Sequence, residues 1–266
     1  MADADLNKPD ALADFERRQI TLQDKTKLVF VAGAGPAVLV MTEMPGISPH
    51  VARFARWVRD AGFTVWMPNL FGDPGRPISI AYSISSMVKG CISAEFRAFA
   101  SNASSPVTQW LRALAAHAHP RCGGKGVGAI GMCFTGNFAL SMMLEPAMLA
   151  PVLSQPSLPI ASASGMHIAP DELRAVTERL EREDLTVLAY RFAGDAFCRA
   201  QRFAAYQQAL GDRFQPRVLP DSCANPDAPM KNPHSVVTLH LIDEHDQPTR
   251  QAVEEIIGFF KLRLMQ

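Results

Sequence analysis

The sequence has no excess of charge of either sign. Its 266 residues contain 26 lysines and arginines and 26 aspartates and glutamates. Proteins that bind nucleic acid or an anionic membrane surface usually carry a basic excess. We therefore expect a small molecule, rather than a nucleic acid or a membrane, as the partner of this chain. The oligomeric state is left open by the sequence.

Long apolar runs are also missing. No stretch approaches the roughly 18 uncharged apolar residues that a membrane-spanning helix requires. The first residues, Met1–Lys8, lack the basic start and the apolar run of a signal peptide. A cytoplasmic location is the resulting expectation.

Cysteine is infrequent, and its spacing is not that of a structural site. There are five cysteines, an odd number, and no two of them are separated by two residues. This pattern fits neither a disulfide framework nor a common zinc site. His117 and His119 lie near Cys122, but their spacing does not match a common ligand set. We expect no metal and no cofactor.

The chain does contain alternating strand-like and helix-like segments. This alternation favours an α/β fold with a mostly parallel sheet covered by helices on both faces. No linker divides residues 1–266, so we expect one domain with a peripheral segment at 1–26. Strands are predicted at Lys27–Val31, Pro36–Thr42, Phe63–Pro68, Gly126–Met132, Leu149–Gln155, Leu185–Phe192 and Pro216–Leu219. Helices are predicted at Pro49–Ala61, Ala94–Ala100, Val107–Ala118, Asn137–Leu144, Pro170–Arg182, Arg199–Leu210 and Pro248–Leu264. Loops are predicted at Asn69–Tyr82 and Pro220–Pro233, which are rich in proline.

The most informative residue is Cys133. It follows an apolar, glycine-spaced strand and directly precedes a helical pattern. A nucleophile elbow has this arrangement, with small neighbours at a sharp turn and the nucleophile near a helix N-terminus that favours a thiolate. The pattern indicates a hydrolase with a cysteine nucleophile. The alternative is a buried core cysteine beside a tight turn.

A cysteine nucleophile needs an acid and a histidine, which follow it in that order in α/β hydrolases. Asp195 follows a predicted strand and stands where the acid belongs, although an aspartate before a helix also serves as an N-cap. Three histidines come later: His234 in a long loop, His240 in an apolar run, and His245 among acidic neighbours. We favour His234 as the base and keep His245 as the second candidate.

Glu43 ends the predicted strand Pro36–Thr42. A carboxylate at the end of a buried strand is costly unless it is paired. Glu43 is a candidate hydrogen-bond acceptor for the resting thiol, and its alternative role is that of a capping residue. The loop after it is where such folds place one oxyanion N–H, here that of Met44. The N–H of Phe134, after the nucleophile, would supply the other.

Four stretches together resemble the dienelactone hydrolase family. They are Leu39–His50, a strand ending in glutamate before a Ser-Pro-His helix start; Gly62–Gly72, similar to the family's G-[YF]-x-V-x-x-P-D-L-[FY]-G; the elbow at Cys133, similar to G-x-C-x-G-G; and Asn232–Ser235, similar to a late histidine–serine pair. The resemblance covers most of the chain from about Pro36 onward.

The resemblance implies an α/β-hydrolase fold and a carboxymethylenebutenolidase-like hydrolase of esters or lactones. Cys133 would be the nucleophile, Asp195 the acid, His234 the base and Glu43 the partner of the resting thiol. The N–H groups of Met44 and Phe134 would form the oxyanion hole.

The chain departs from the family pattern at several positions. Thr135 replaces the first glycine of C-x-G-G and is expected to crowd the elbow, and Asn69 replaces an aspartate. Neither Arg76 nor Arg97 clearly matches the arginines that bind the dienelactone carboxylate.

Two other functions compete with hydrolysis: a non-catalytic scaffold that binds a small ligand, and a thiol redox sensor.

Overall fold

The computed structural model describes residue 6 and residues 10–266, without the side chain of Ile80. The described residues form one eight-stranded sheet, and the strands lie in the order β1-β2-β4-β3-β5-β6-β7-β8. The strands are β1 (Glu16–Leu22), β2 (Lys25–Gly33), β3 (Ala37–Met41), β4 (Thr64–Pro68), β5 (Val127–Met132), β6 (Met148–Ser154), β7 (Val187–Phe192) and β8 (Phe214–Leu219). β2 pairs antiparallel with both β1 and β4, and the remaining pairs are parallel. The predicted α/β class with a mostly parallel sheet is confirmed.

Seven α-helices accompany the strands among the described residues. They are α1 (Pro49–Asp60), α2 (Ile80–Ile92), α3 (Val107–Cys122), α4 (Phe138–Ser141), α5 (Pro170–Arg182), α6 (Ala200–Leu210) and α7 (Pro248–Leu264). Within this part of the chain, no helix combines the length and the apolar character needed to cross a membrane.

The core lies on both faces of the sheet because its central strands are buried on both faces. In β3, Leu39 packs with α3 in one core cluster, whereas Val38 and Val40 pack with α1 and α7 in the other. Successive side chains of a strand point to opposite faces, so a strand covered on both sides must be apolar throughout. The continuous apolar runs of β3 and β5 have this origin.

Two of the predicted segments are wrong. The segment Ala94–Ala100 forms turns rather than a helix, and Arg97 within it has a φ of 44°. The helix lies earlier in the chain, as α2, which begins inside the predicted loop Asn69–Tyr82. Ser79 caps its start by accepting a hydrogen bond from the Tyr82 N–H at 3.3 Å. Residues 94–100 have helical spacing of apolar side chains, but the positive φ interrupts the helix there.

The N-terminal segment expected at residues 1–26 lies partly outside the described residues. Its described part contains β1, an edge strand that the sequence analysis did not predict. Leu12 and Phe15 are buried against α1 and the core beside it. Asp14 forms ion pairs with Arg56 and Arg59 of α1. These contacts attach the segment to the body of the fold.

Candidate active site

Cys133 occupies a sharp turn between β5 and α4. Its φ is 54°, in the left-handed region that non-glycine residues seldom adopt. The turn is closed by close contacts: a Cβ on Gly131 would lie 2.1 Å from the Thr135 carbonyl oxygen, and one on Gly136 would lie 2.4 Å from Pro156 Cα. Both positions therefore require glycine.

Thr135 was expected to crowd the elbow, but the structure shows no such crowding. Its hydroxyl accepts a hydrogen bond from the Met132 N–H at 2.9 Å and lies 3.0 Å from the Met41 carbonyl oxygen, to which it donates. A glycine at this position would make neither contact. The side chain thereby joins the elbow to the end of β3, which precedes Glu43 and Met44.

Asp195 and His234 meet although they are 39 residues apart in the sequence. Oδ2 of Asp195 lies 2.7 Å from Nδ1 of His234, and both side chains are buried. The other carboxylate oxygen, Oδ1, accepts hydrogen bonds from the N–H groups of Phe197 and Cys198 at 2.8 and 2.9 Å. Asp195 therefore acts as a local cap and as a histidine partner at once, so both sequence readings describe real contacts.

The other two candidate histidines have different surroundings. His240 is buried, its Nδ1 accepts the Ser235 N–H at 3.1 Å, and its Nε2 lies 2.8 Å from the Met230 carbonyl oxygen. These bonds shape the loop that carries His234. The side chain of His245 is 86% exposed and contacts Glu254. Of the three, His234 is the one placed against Asp195.

The electrostatics of the Asp195–His234 pair favour a charged imidazole. Burial disfavours the imidazolium, but the neighbouring Cys133 and Asp195 side chains together stabilise it more, so the pKa of His234 lies well above its usual range. Burial raises the pKa of Asp195, but the hydrogen bond from His234, its charge and the N–H groups of Cys198 and Phe197 together outweigh burial, and the net pKa is lowered. Nε2 of His234 is buried and has no hydrogen-bond partner of good geometry among the described residues. That nitrogen is the one left to exchange a proton.

Glu43 makes different contacts from those expected. Its Oε2 accepts hydrogen bonds from the Ser235 hydroxyl at 2.6 Å and from Gln155 Nε2 at 3.3 Å, and its Oε1 accepts one from the Thr238 hydroxyl. Among the described residues, none of the hydrogen bonds to Glu43 comes from Cys133. The carboxyl group instead connects the end of β3 to the loop that carries His234.

The burial of Glu43 gives a stability prediction. Burial raises the pKa of Glu43 despite the three hydrogen bonds that oppose the shift. The folded state then holds a proton that the unfolded state releases, so this group stabilises the fold below the unfolded pKa of Glu and the contribution is lost as the pH rises toward the folded pKa. We expect the Glu43→Gln variant to lose less stability than the wild type between pH 5 and pH 8.

Urea unfolding of both proteins at pH 5 and pH 8 measures this difference. Taking the difference between the wild type and the variant removes the contributions of titratable groups that do not interact with Glu43. An equal change of the urea midpoint with pH in the two proteins would contradict the prediction.

The two backbone groups expected to bind an oxyanion are available. Neither the Met44 N–H nor the Phe134 N–H donates a hydrogen bond to another described residue. Met44 follows the end of β3 and Phe134 follows Cys133 at the end of β5, and these two strands are paired. Both residues line the same cavity.

That cavity has a volume of about 580 Å³ and lies at the carboxyl ends of the central strands. It is lined by Glu43, Met44, Cys133, Phe134 and His234, while Asp195 lies behind His234. Ligands of open α/β sheets bind at this edge, and the volume is typical of small-molecule sites. The ring of Phe197, another lining residue, packs edge-on against His234 with the centroids 5.2 Å apart.

The arginines considered for a substrate carboxylate do not line this cavity. Arg76 pairs with Asp73 at 2.9 Å and lies over the Tyr82 ring, and Arg97 is an exposed turn residue. Arg199 does line the cavity, although it was not among the residues predicted from the sequence. Its position four residues after Asp195 was the available signal.

In the described part of the chain, no group of three or more His, Cys, Asp or Glu side chains is placed to hold a metal ion.

Comparison with known proteins agrees with this arrangement. The model of the dienelactone hydrolase family matches residues 26–160, just over half of the chain. The chain belongs to the dienelactone hydrolase family. Membership supports a hydrolase of esters or lactones that acts on a small molecule. The match includes Glu43 and Cys133, whereas Asp195 and His234 lie beyond it.

Solved structures of dienelactone hydrolase type are similar to this chain. A putative dienelactone hydrolase from Klebsiella pneumoniae subsp. pneumoniae MGH 78578 has 17% identity and a TM-score of 0.60, with 92% of this chain and 97% of that chain covered. The dienelactone hydrolase-like promiscuous phosphotriesterase P91 from metagenomic libraries has 20% identity and a TM-score of 0.63, with 94% and 98% covered. The dienelactone hydrolase from Anabaena variabilis ATCC 29413 has 14% identity and a TM-score of 0.56, with 94% and 99% covered. At these identities the likeness shows the α/β-hydrolase fold. No curated protein sequence matches the chain.

Proposed function

We propose that this chain hydrolyses a carboxylic ester or lactone through a thioester on Cys133, with residues 1–266 acting as one catalytic domain. The supporting observation is the buried contact between Asp195 Oδ2 and His234 Nδ1, 2.7 Å long, beside a cavity that Cys133 also lines. A nucleophile, a base and an orienting carboxylate in this order are the parts that acyl transfer requires.

In the first step, Cys133 Sγ attacks the carbonyl carbon, and the proton that the thiol gives up is held on Nε2 of His234. Asp195 holds Nδ1 of His234 and stabilises the positive charge on the ring. The oxyanion accepts hydrogen bonds from the N–H groups of Met44 and Phe134, and one such donor is typically worth about 3 kcal/mol. The bond to the leaving oxygen breaks, and His234 returns the proton to that oxygen.

In the second step, His234 removes a proton from water, and the hydroxide attacks the thioester carbon. The C–S bond breaks, the acid leaves, and the proton on His234 restores the thiol. Glu43 takes no part in either proton transfer in this scheme, because its oxygens are bound to Ser235, Thr238 and Gln155.

A panel of p-nitrophenyl esters, enol lactones including dienelactone, and thioesters tests the proposal. We expect turnover of at least one class, and an acyl group on the Cys133-containing peptide when the protein is acid-quenched during turnover and analysed by mass spectrometry. Absence of turnover across the panel, with rapid sulfenic-acid labelling of Cys133 by peroxide, would favour a redox role.

A further inference from the structure

The walls of the active-site cavity are chiefly apolar. Apart from His234, the one basic side chain among the described lining residues is Arg199, which is exposed at the mouth and whose Nε donates to the Ala196 carbonyl oxygen at 3.0 Å. Six large apolar side chains line the cavity beyond the catalytic residues: Ile84, Met87, Ile160, Phe197, Met230 and Leu239. A substrate with several anionic groups would have little to pair with here, whereas an apolar chain would be desolvated.

Helix α2 contributes to this cavity and has an inverted polarity. Among the side chains of α2 that the structure describes, the buried residues are Tyr82, Ser86 and Gly90, at a spacing of four. The Ser86 hydroxyl donates to the Pro45 carbonyl oxygen at 3.1 Å, and a Cβ on Gly90 would lie 2.3 Å from Met44 Cε. The helix is thus attached to the Met44–Pro45 loop by a hydrogen bond and a close approach, and not by a buried apolar face.

Several apolar side chains of α2 are exposed to solvent. Ile84, Val88 and Ile92 follow each other at a spacing of four and are 53%, 52% and 78% exposed. Side chains at this spacing lie on one face of a helix, and they form what we call the α2 stripe. From Ile84 to Ile92 it extends about 12 Å along the helix. Only one residue of α2, Lys89, carries a charge.

The α2 stripe starts at the mouth of the cavity, because Ile84 both lines the cavity and is exposed. Ile160 and Phe197, on another part of the mouth, also combine these two properties. A contiguous exposed apolar surface usually marks a binding site. A second copy of this chain on the stripe would also cover Ile84 and the mouth beside it. An apolar alkyl or acyl chain of a substrate would contact the stripe and the mouth together.

We infer that the site takes a neutral ester with a long apolar chain, which runs from Cys133 through the cavity and along the α2 stripe. This inference rests on the proposed function and adds a class of substrate to the proposed reaction. Ile84 and Val88 are then specificity-determining residues, since they contact the chain and not the ester group.

Hydrolysis of ester series of increasing chain length, below their aggregation concentrations, tests the inference. One series varies the acyl chain of p-nitrophenyl esters from two to twelve carbons, and the other varies the alkyl chain of acetate esters. We expect kcat/KM to rise by about three- to fourfold per buried methylene in one of the series, mainly through KM. A rise in either series identifies which side of the ester follows the stripe, and flat or falling values in both series overturn the inference.

Variants of the stripe give the second arm. We expect Ile84→Ser and Val88→Ser each to reduce the ratio of kcat/KM for the ten-carbon ester to that for the two-carbon ester by about five- to tenfold. Val218→Ser is the matched control, because Val218 is 48% exposed but lies on β8 and does not line the cavity. Equal ratios in the stripe variants and this control would overturn the inference, as would a change of oligomeric state in the stripe variants without a change of ratio.

Binding by the Cys133→Ala variant separates this inference from the proposed function. The probe is N-phenyl-1-naphthylamine, whose fluorescence rises in apolar sites, and ethyl decanoate is the competitor. Val88→Ser and Val218→Ser are each added to the Cys133→Ala variant. If Val88→Ser weakens the displacement of the probe and Val218→Ser does not, the apolar site is supported even if no ester is turned over. Turnover confined to a carboxylate-bearing lactone, and lost in Arg199→Gln, would overturn the inference while leaving the proposed function standing.

Discussion

Replacement of Cys133 by alanine should remove ester hydrolysis, with a loss of kcat/KM on the order of 10⁴-fold or more. The alanine has no nucleophile, and the remaining Asp195–His234 pair and oxyanion N–H groups supply only the rate that water attack allows. Alanine tolerates the φ of 54° about as well as cysteine does, so the fold is expected to persist. Steady-state kinetics together with circular dichroism and the Tm measure the two effects.

The matched control is Cys223→Ala, since Cys223 is also partly buried but does not line the cavity. It should keep the wild-type rate. Cys133→Ser adds a second comparison, because it keeps a nucleophilic atom of smaller size and lower acidity than the thiol. Full activity in Cys133→Ala would reject the thioester mechanism, whatever the result with serine.

Asp195→Asn should reduce kcat by about 10³- to 10⁴-fold. Asn Oδ1 still accepts the N–H groups of Phe197 and Cys198, so the local turn is preserved. The amide cannot provide the negative charge that stabilises the imidazolium of His234, and its NH₂ group can select the wrong ring tautomer. Since Asp195 raises the pKa of His234, the rise of kcat/KM with pH should move to lower pH in the variant.

Asp221→Asn is the control for the loss of one carboxylate near this turn. Asp221 Oδ1 accepts the Gly194 N–H at 2.8 Å, directly before Asp195, and does not line the cavity. An asparagine keeps that bond, so its pH profile and kcat should match the wild type. If Asp195→Asn behaves like Asp221→Asn, the carboxylate of Asp195 has a structural role and the proposed mechanism loses its orienting group.

The hydrogen-bond partners of Glu43 are the clearest difference between the sequence-based expectation and the structure. A carboxylate at the end of a buried strand was correctly expected to be paired, because an unpaired one is too costly. The partners are Ser235, Thr238 and Gln155, which come from two distant loops. No spacing rule links residue 43 to residues 155, 235 and 238. The sequence therefore predicted that Glu43 is paired, but it did not predict which residues are its partners.

Helix α2 shows a different limit. Sequence patterns find helices by an apolar face that meets the core, and α2 buries Tyr82, Ser86 and Gly90 instead. Its position is decided by the Met44–Pro45 loop against which it packs. The apolar residues that a pattern would assign to the core are the exposed ones. Because its apolar side chains are exposed, the helix was not predicted from the sequence. The same exposure makes it a candidate substrate contact.

The sequence by itself determined the α/β class, the family resemblance and the elbow at Cys133. These depend on local features: alternating apolar periods, glycines at 131 and 136, and a strand that runs directly into a helix. The tertiary structure decided which of three histidines meets Asp195, that Arg199 rather than Arg76 or Arg97 lines the cavity, and that α2 forms its mouth. Such choices depend on loops brought together by strand order, because long-range contacts between loops leave no periodic signal in the chain.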